Sequence, residues 1–142
     1  MKVTLCIISL AFAAAVSIHG QRQQFHYEPE KVTLTGRVVL RTFFGPPDYG
    51  ENPKTDTKEH NYILILDSLV DVIGTNSENE TERKVRQVTL VISDPNANQI
   101  RPFLSKRVKV EGTLFHAITG HHHTRVLMTV SSIRRARRGE RL

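Results

Sequence analysis

An all-β fold is predicted by three features of the sequence. Apolar and polar residues alternate with period two in several segments, a glycine lies inside the first of them, and one helix-start signal is flanked by strands on both sides. In residues 32–43, Val32, Leu34, Gly36, Val38 and Leu40 take one parity, while Thr33, Thr35, Arg37 and Arg41 take the other. Such alternation is a strand with one buried face. Gly36 inside it predicts a bulge or sharp bend, which lets one strand serve two parts of a curled sheet. Residues 62–66, extending toward 73, are almost continuously apolar and form the second strand. The third covers residues 85–92, with Val88, Leu90 and Ile92 on one face.

Asp94 followed by Pro95 reads as an N-cap and a first helical position, so a short helix is expected there, limited by Pro102. The fourth strand, residues 106–116, places Val108, Val110 and Leu114 on one face, and the fifth, residues 124–133, does the same with Val126, Met128 and Val130. Three strands, a short helix and two more strands, with a glycine-bent first strand, is the order of a small five-stranded OB-like Greek-key barrel. A generic small β-sandwich is the competing architecture.

The chain has 142 residues, 39% hydrophobic and 24% charged, which suits one folded domain. A single cysteine excludes a disulfide framework and any metal site built from several cysteines. Residues 1–20 read as a cleaved signal peptide. A lysine at position 2 precedes an apolar run that ends in Ala13, Ala14, Ala15 and Ser17, and the run is shorter than the roughly 20 residues of a membrane span. Export to the periplasm or the medium is therefore expected, with no transmembrane span. The remaining organisation is an N-terminal extension at 21–31, the β-domain at 32–133 and an arginine-rich tail at 134–142.

Charge is uneven along the chain despite a net +6. Nine acidic residues fall between Asp48 and Glu82, and ten Lys or Arg between Arg101 and Leu142. That asymmetry is unlike the continuous basic surface that tracks a nucleic-acid backbone, so nucleic acid is not expected as a partner. The tail offers electrostatic contact with anionic surfaces.

Two connections carry the unusual chemistry. Residues 44–61 contain Gly45-Pro46-Pro47-Asp48-Tyr49-Gly50-Glu51-Asn52-Pro53-Lys54, a long loop of the kind that often serves function. Residues 116–124 contain His116, His121, His122 and His123. In an OB-like barrel these connections flank one binding face. On extended chain His121 and His123 share a side, His122 points away, and His116 approaches across the hairpin. Imidazoles with a carboxylate such as Asp48, Glu51 or Asp56 are donors that zinc or copper accept. The candidate ligand-binding residues are Asp48, Tyr49, Glu51, His116, His121 and His123, with His116, His121 and His123 as candidate metal ligands. No catalytic residue is assigned, because no nucleophile elbow, phosphate-cradling glycine loop or HExxH occurs.

The stretch Leu34-Thr35-Gly36-Arg37-Val38, the loop from Phe44 through Asp56, the strand Tyr62-Ile63-Leu64-Ile65-Leu66-Asp67 and the hairpin from Gly112 through Thr124 together resemble an uncharacterised family of small exported bacterial domains. The resemblance extends over residues 32–130. It implies bacterial export and a single compact domain, and it transfers no catalytic residue. The expected function is a non-enzymatic exported binding module presenting residues 44–61 and 116–124 to a metal ion or envelope component. The alternatives are an inhibitor or immunity-type protein that blocks another exported protein through its acidic segment, and a metal-dependent hydrolase.

Overall fold

The structure is a computed structural model that describes residues 22–76, 79–92, 99–137 and 139–140. The signal-peptide segment, the Asp94-Pro95 helix start and residues 138, 141 and 142 of the tail lie outside the described residues. The protein is all-β, with six strands among the described residues in a single sheet: β1 (Gln24–His26), β2 (Lys31–Phe44), β3 (Lys58–Ile73), β4 (Glu82–Val91), β5 (Arg107–His116) and β6 (Val126–Arg135). Their hydrogen-bonded order is β1-β3-β2-β5-β6-β4, and β3 also pairs with β4. The β4–β6 and β1–β3 pairings are parallel and the others antiparallel. No helix among the described residues is long and apolar enough to cross a membrane.

Alternation explains the core. Val32, Leu34 and Val38 of β2, Val108, Val110 and Leu114 of β5, and Val126 and Met128 of β6 are buried together with Leu64, Leu66 and Val88. Each of these faces follows the two-residue period of a strand that covers a core on one side. Leu40 departs from its predicted burial and is 48% exposed. Residue 37 is the last of β2 that β5 pairs, so Leu40 lies where β2 has β3 as a ladder neighbour and β5 no longer accompanies it.

Gly36 sits where the two ladders of β2 overlap, opposite Leu66 on β3 and Val108 on β5. One strand thus serves two neighbours, but neither ladder shifts register at Gly36, so the predicted bulge is replaced by a close backbone approach. A Cβ at this position would lie 2.2 Å from the Ile65 carbonyl oxygen.

Further features lie outside the sequence expectations. β1 lies in the segment read as an N-terminal extension. Three residues are too few to show a period, yet Phe25 at its centre is buried and the strand pairs with residues 71–73 of β3. The described part of the connection between β4 and β5 holds a 3-10 turn, Arg101–Phe103, with Pro102 in its opening residues. Proline there opens a turn, where its missing N–H is needed by no acceptor. Finally, β6 runs through Arg134 and Arg135, and the chain beyond folds back. The Glu140 carboxylate accepts from the Arg134 guanidinium at 2.9 and 3.0 Å and from the Arg137 amide at 2.7 Å. Those contacts hold its pKa down to about 2.

Candidate functional site

The long loop between β2 and β3 is closed at its base by the Gly45 amide donating to the Thr57 carbonyl at 3.0 Å and the Thr57 amide donating to the Pro46 carbonyl at 2.9 Å. Its turn is organised from within by Asp56, which is 8% exposed. One carboxylate oxygen accepts the Asp48 amide at 2.8 Å and the other the Gly50 amide at 2.7 Å. Gly50 has φ 107°, a left-handed conformation that glycine takes without a steric penalty. The loop's form therefore depends on one buried carboxylate. Asp56→Asn is expected to cost about 2 kcal/mol, because one of the two amides then faces an NH2 group that cannot accept and the other keeps only a neutral acceptor. Faster hydrogen exchange at Asp48 or Gly50, with the core strands unchanged, is the measurement that checks it.

The hairpin between β5 and β6 closes through the Ala117 amide donating to the Arg125 carbonyl at 2.9 Å, and its tip through the His122 amide donating to the Thr119 carbonyl at 3.0 Å. The Ile118 amide donates to Nδ1 of His122 at 3.0 Å, which requires that nitrogen to be unprotonated. Burial lowers the His122 pKa, and the neighbouring His121 and His123 lower it further. His122 also packs edge-on against Phe115, with ring centroids 5.7 Å apart. Its role is to shape the tip.

The loop and the hairpin meet. The Tyr49 hydroxyl lies 3.2 Å from Nε2 of His121, the two rings are 5.5 Å apart, and Gly120 backs onto the Tyr49 ring. Both histidines converge on Glu59, at the start of β3. Nδ1 of His121 is 2.5 Å from one carboxylate oxygen, and Nε2 of His123 is 2.8 Å from the other. His123 also stacks face to face on Phe43, with ring centroids 4.2 Å apart and planes 4° from parallel. Phe43 and Glu59 are direct partners in the β2–β3 ladder, so neighbouring side chains on one face hold the same imidazole from its side and its edge. In neutral His121, with Nδ1 donating to Glu59, Nε2 is left to accept the tyrosine proton. The result is a chain from phenol to imidazole to a carboxylate shared with a second imidazole. Partial burial raises the Glu59 pKa, but the hydrogen bonds and charges of His123 and His121 outweigh it and leave the carboxyl below its ordinary value.

His116 does not join this group. Its Nε2 lies 3.1 Å from Glu82, whose other oxygen accepts from Arg125 at 3.2 Å, and its ring meets Tyr27 edge-on at 5.9 Å. The sequence reading brought His116 across the hairpin. The structure instead pairs this end of β5 with the first residue of β4, whose carboxylate is buried and takes both the imidazole and the Arg125 guanidinium. Asp48 and Glu51 lie in the loop with exposed side chains, and among the described residues neither carboxylate makes an ion pair. Tyr49, His121 and His123 are thus brought together, Asp48 and Glu51 flank them, and His116 stands apart. Among the described residues no group of three or more His, Cys, Asp or Glu is disposed to hold a metal ion. The residue that sequence reasoning missed is Glu59, one acid among nine in its segment. Its one signal is position, at the far end of the long loop.

Residues 86–134 match the family model described as Domain of unknown function (DUF4431). A resemblance to an uncharacterised family is therefore present, over a shorter stretch than residues 32–130. The DUF4431 match includes β5, β6 and the hairpin with His116, His121 and His123, and leaves Tyr49 and Glu59 outside. No curated protein matches the chain.

Proposed function

We propose that the protein is an exported, non-enzymatic binding module whose ligand face is formed by residues 44–61 and 116–124 on an OB-like barrel. The ring of pairings supports the barrel. β2 pairs with β3 and β5, β5 with β6, β6 with β4 in parallel, and β4 with β3 again, which is the closed connectivity of a five-stranded Greek-key barrel with β1 added outside it. The observation that carries the binding reading is the convergence of Tyr49, His121 and His123 on Glu59. Two loops far apart in sequence are fixed against each other by polar side chains, and the phenol and the His121 ring remain solvent-accessible. A rigid scaffold holding directed polar groups on loops is how a binding surface is preorganised.

Isotope-labelled protein beginning at Gln21, titrated separately with soluble peptidoglycan fragments, chitooligosaccharides and zinc chloride, tests this reading. One saturable ligand should shift amide resonances concentrated in residues 45–57 and 117–125. Shifts spread over the sheet, or no saturable shift with any of the three, would count against the site. Export is tested separately by N-terminal sequencing of the protein recovered outside the cytoplasm, which should begin after Ala15, Ser17 or Gly20.

A further inference from the structure

β4 begins with an irregularity whose consequence is electrostatic. Val70 pairs with Val85 and Val72 with Glu82, so Asp71 alone on β3 faces both Arg83 and Lys84 on β4. This is a β-bulge, and it breaks the alternation that would otherwise turn one of two successive side chains inward. Arg83, Lys84 and Arg86 are all exposed, while Glu82 and Val85 are buried. Asp71, 3% exposed, pins the bulge. Its carboxylate accepts the Lys84 amide at 2.8 Å and pairs with Arg22 at 3.3 Å and Arg83 at 3.5 Å, and the Lys84 amide above all holds its pKa below the ordinary value. Lys84 has φ 56°, in the left-handed region that glycine occupies freely and lysine does not. A lysine stands where the backbone favours glycine, and what it adds is an ammonium group.

The bulge lines a groove of about 350 Å³ with Arg83, Lys84 and Arg86 on one side and Arg125 and His123 on the other. Glu82 is the acid in its lining, and both its oxygens are already engaged by His116 and Arg125. Among the described residues, Lys84 and Arg86 make no ion pair. We propose that this groove binds the oxyanion groups, carboxylate or phosphate, of an extended acidic polymer. Cations spaced along a strand match charges repeated along a chain, and guanidinium groups take oxyanions in two-pronged hydrogen bonds. The groove borders His123 but otherwise uses residues that the loop site does not, so it stands whether or not that site binds a ligand.

Polygalacturonate and polyphosphate of matched length serve as the carboxylate and phosphate probes, with affinity followed by calorimetry at 50 and 150 mM salt. The full protein is compared with a Lys84→Gly, Arg86→Gln variant and with an Arg135→Gln, Arg137→Gln control that removes the same number of charges from the end of the chain. The groove variant should bind at least tenfold more weakly and show a shallower salt dependence, while melting no lower than wild type, since glycine relaxes the bulge. The control should bind within about threefold of wild type. Whichever polymer binds identifies the source of the oxyanion. Equal losses in both variants would mean unspecific charge attraction, and no measurable binding of either polymer would likewise overturn the proposal.

Discussion

Gly36→Ala is expected to lower the unfolding free energy by about 3 kcal/mol, the upper part of the usual range for forcing extra atoms into a packed interior. The added methyl would meet the Ile65 carbonyl oxygen at 2.2 Å, its carbonyl carbon at 2.9 Å and the Leu66 Cα at 3.0 Å. All three are backbone atoms, so no side chain can swing aside to make room. β2 must move away from β3, which lengthens the ladder hydrogen bonds at the point where β2 is held by both neighbours. With a urea m-value of about 2 kcal/mol/M, the midpoint should fall by about 1–2 M. The same displacement lies at the head of the ladder that aligns Phe43 with Glu59, so looser stacking of His123 should accompany it. A midpoint within about 0.2 M of wild type would show that the strands approach less closely than described.

The alternating strands were legible in the sequence because a strand with one buried face writes its geometry into every second residue. β5 displays this fully, with Val108, Val110, Gly112 and Leu114 all buried. β1 was illegible because three residues contain no period, and its place is set by Phe25 reaching the core from beside β3. β3 was only half legible. Its sixteen residues are interrupted by register shifts against β4, where Asp67, Ser68 and Leu69 turn outward and mask the period. The bulge at Arg83 and Lys84 could not be read locally at all, since it depends on Asp71 on the neighbouring strand.

The site divides in the same way. That the tyrosine loop and the histidine hairpin meet followed from strand order, because strand order decides which connections share a face. Which imidazoles converge did not follow, because it depends on where carboxylates sit on other strands. Glu82 lies on β4, which pairs with β6, and holds His116, while Glu59 lies on β3, which pairs with neither strand of the hairpin, and takes both His121 and His123. A sequence pattern lists ligand types but carries no information on this competition, so His116 was grouped with His121 and His123 although a different acid holds it.

Glu59→Ala should release the contact between loop and hairpin and lower stability by about 2 kcal/mol at neutral pH. Two hydrogen bonds to a charged group would be worth more if buried, but Glu59 is partly exposed and His121 more so, and solvent screening reduces their value. The sign of the pH dependence follows from the lowered pKa of Glu59. A carboxyl with a depressed folded-state pKa contributes its full stabilisation above its unfolded value, here the ordinary 4.5, and loses it as pH falls through the folded value. The melting temperatures of wild type and variant should therefore differ above pH 4.5 and converge as pH falls below it. The stack of His123 on Phe43 uses no carboxylate and should survive in the variant, keeping the aromatic-shifted resonances of that ring. The Tyr49 and His121 resonances should instead move toward solvent-exposed values, since their alignment depends on Nδ1 of His121 being held. A pH-independent difference would assign the loss to packing, and unchanged Tyr49 and His121 resonances would show that the two loops are joined by something other than this carboxylate.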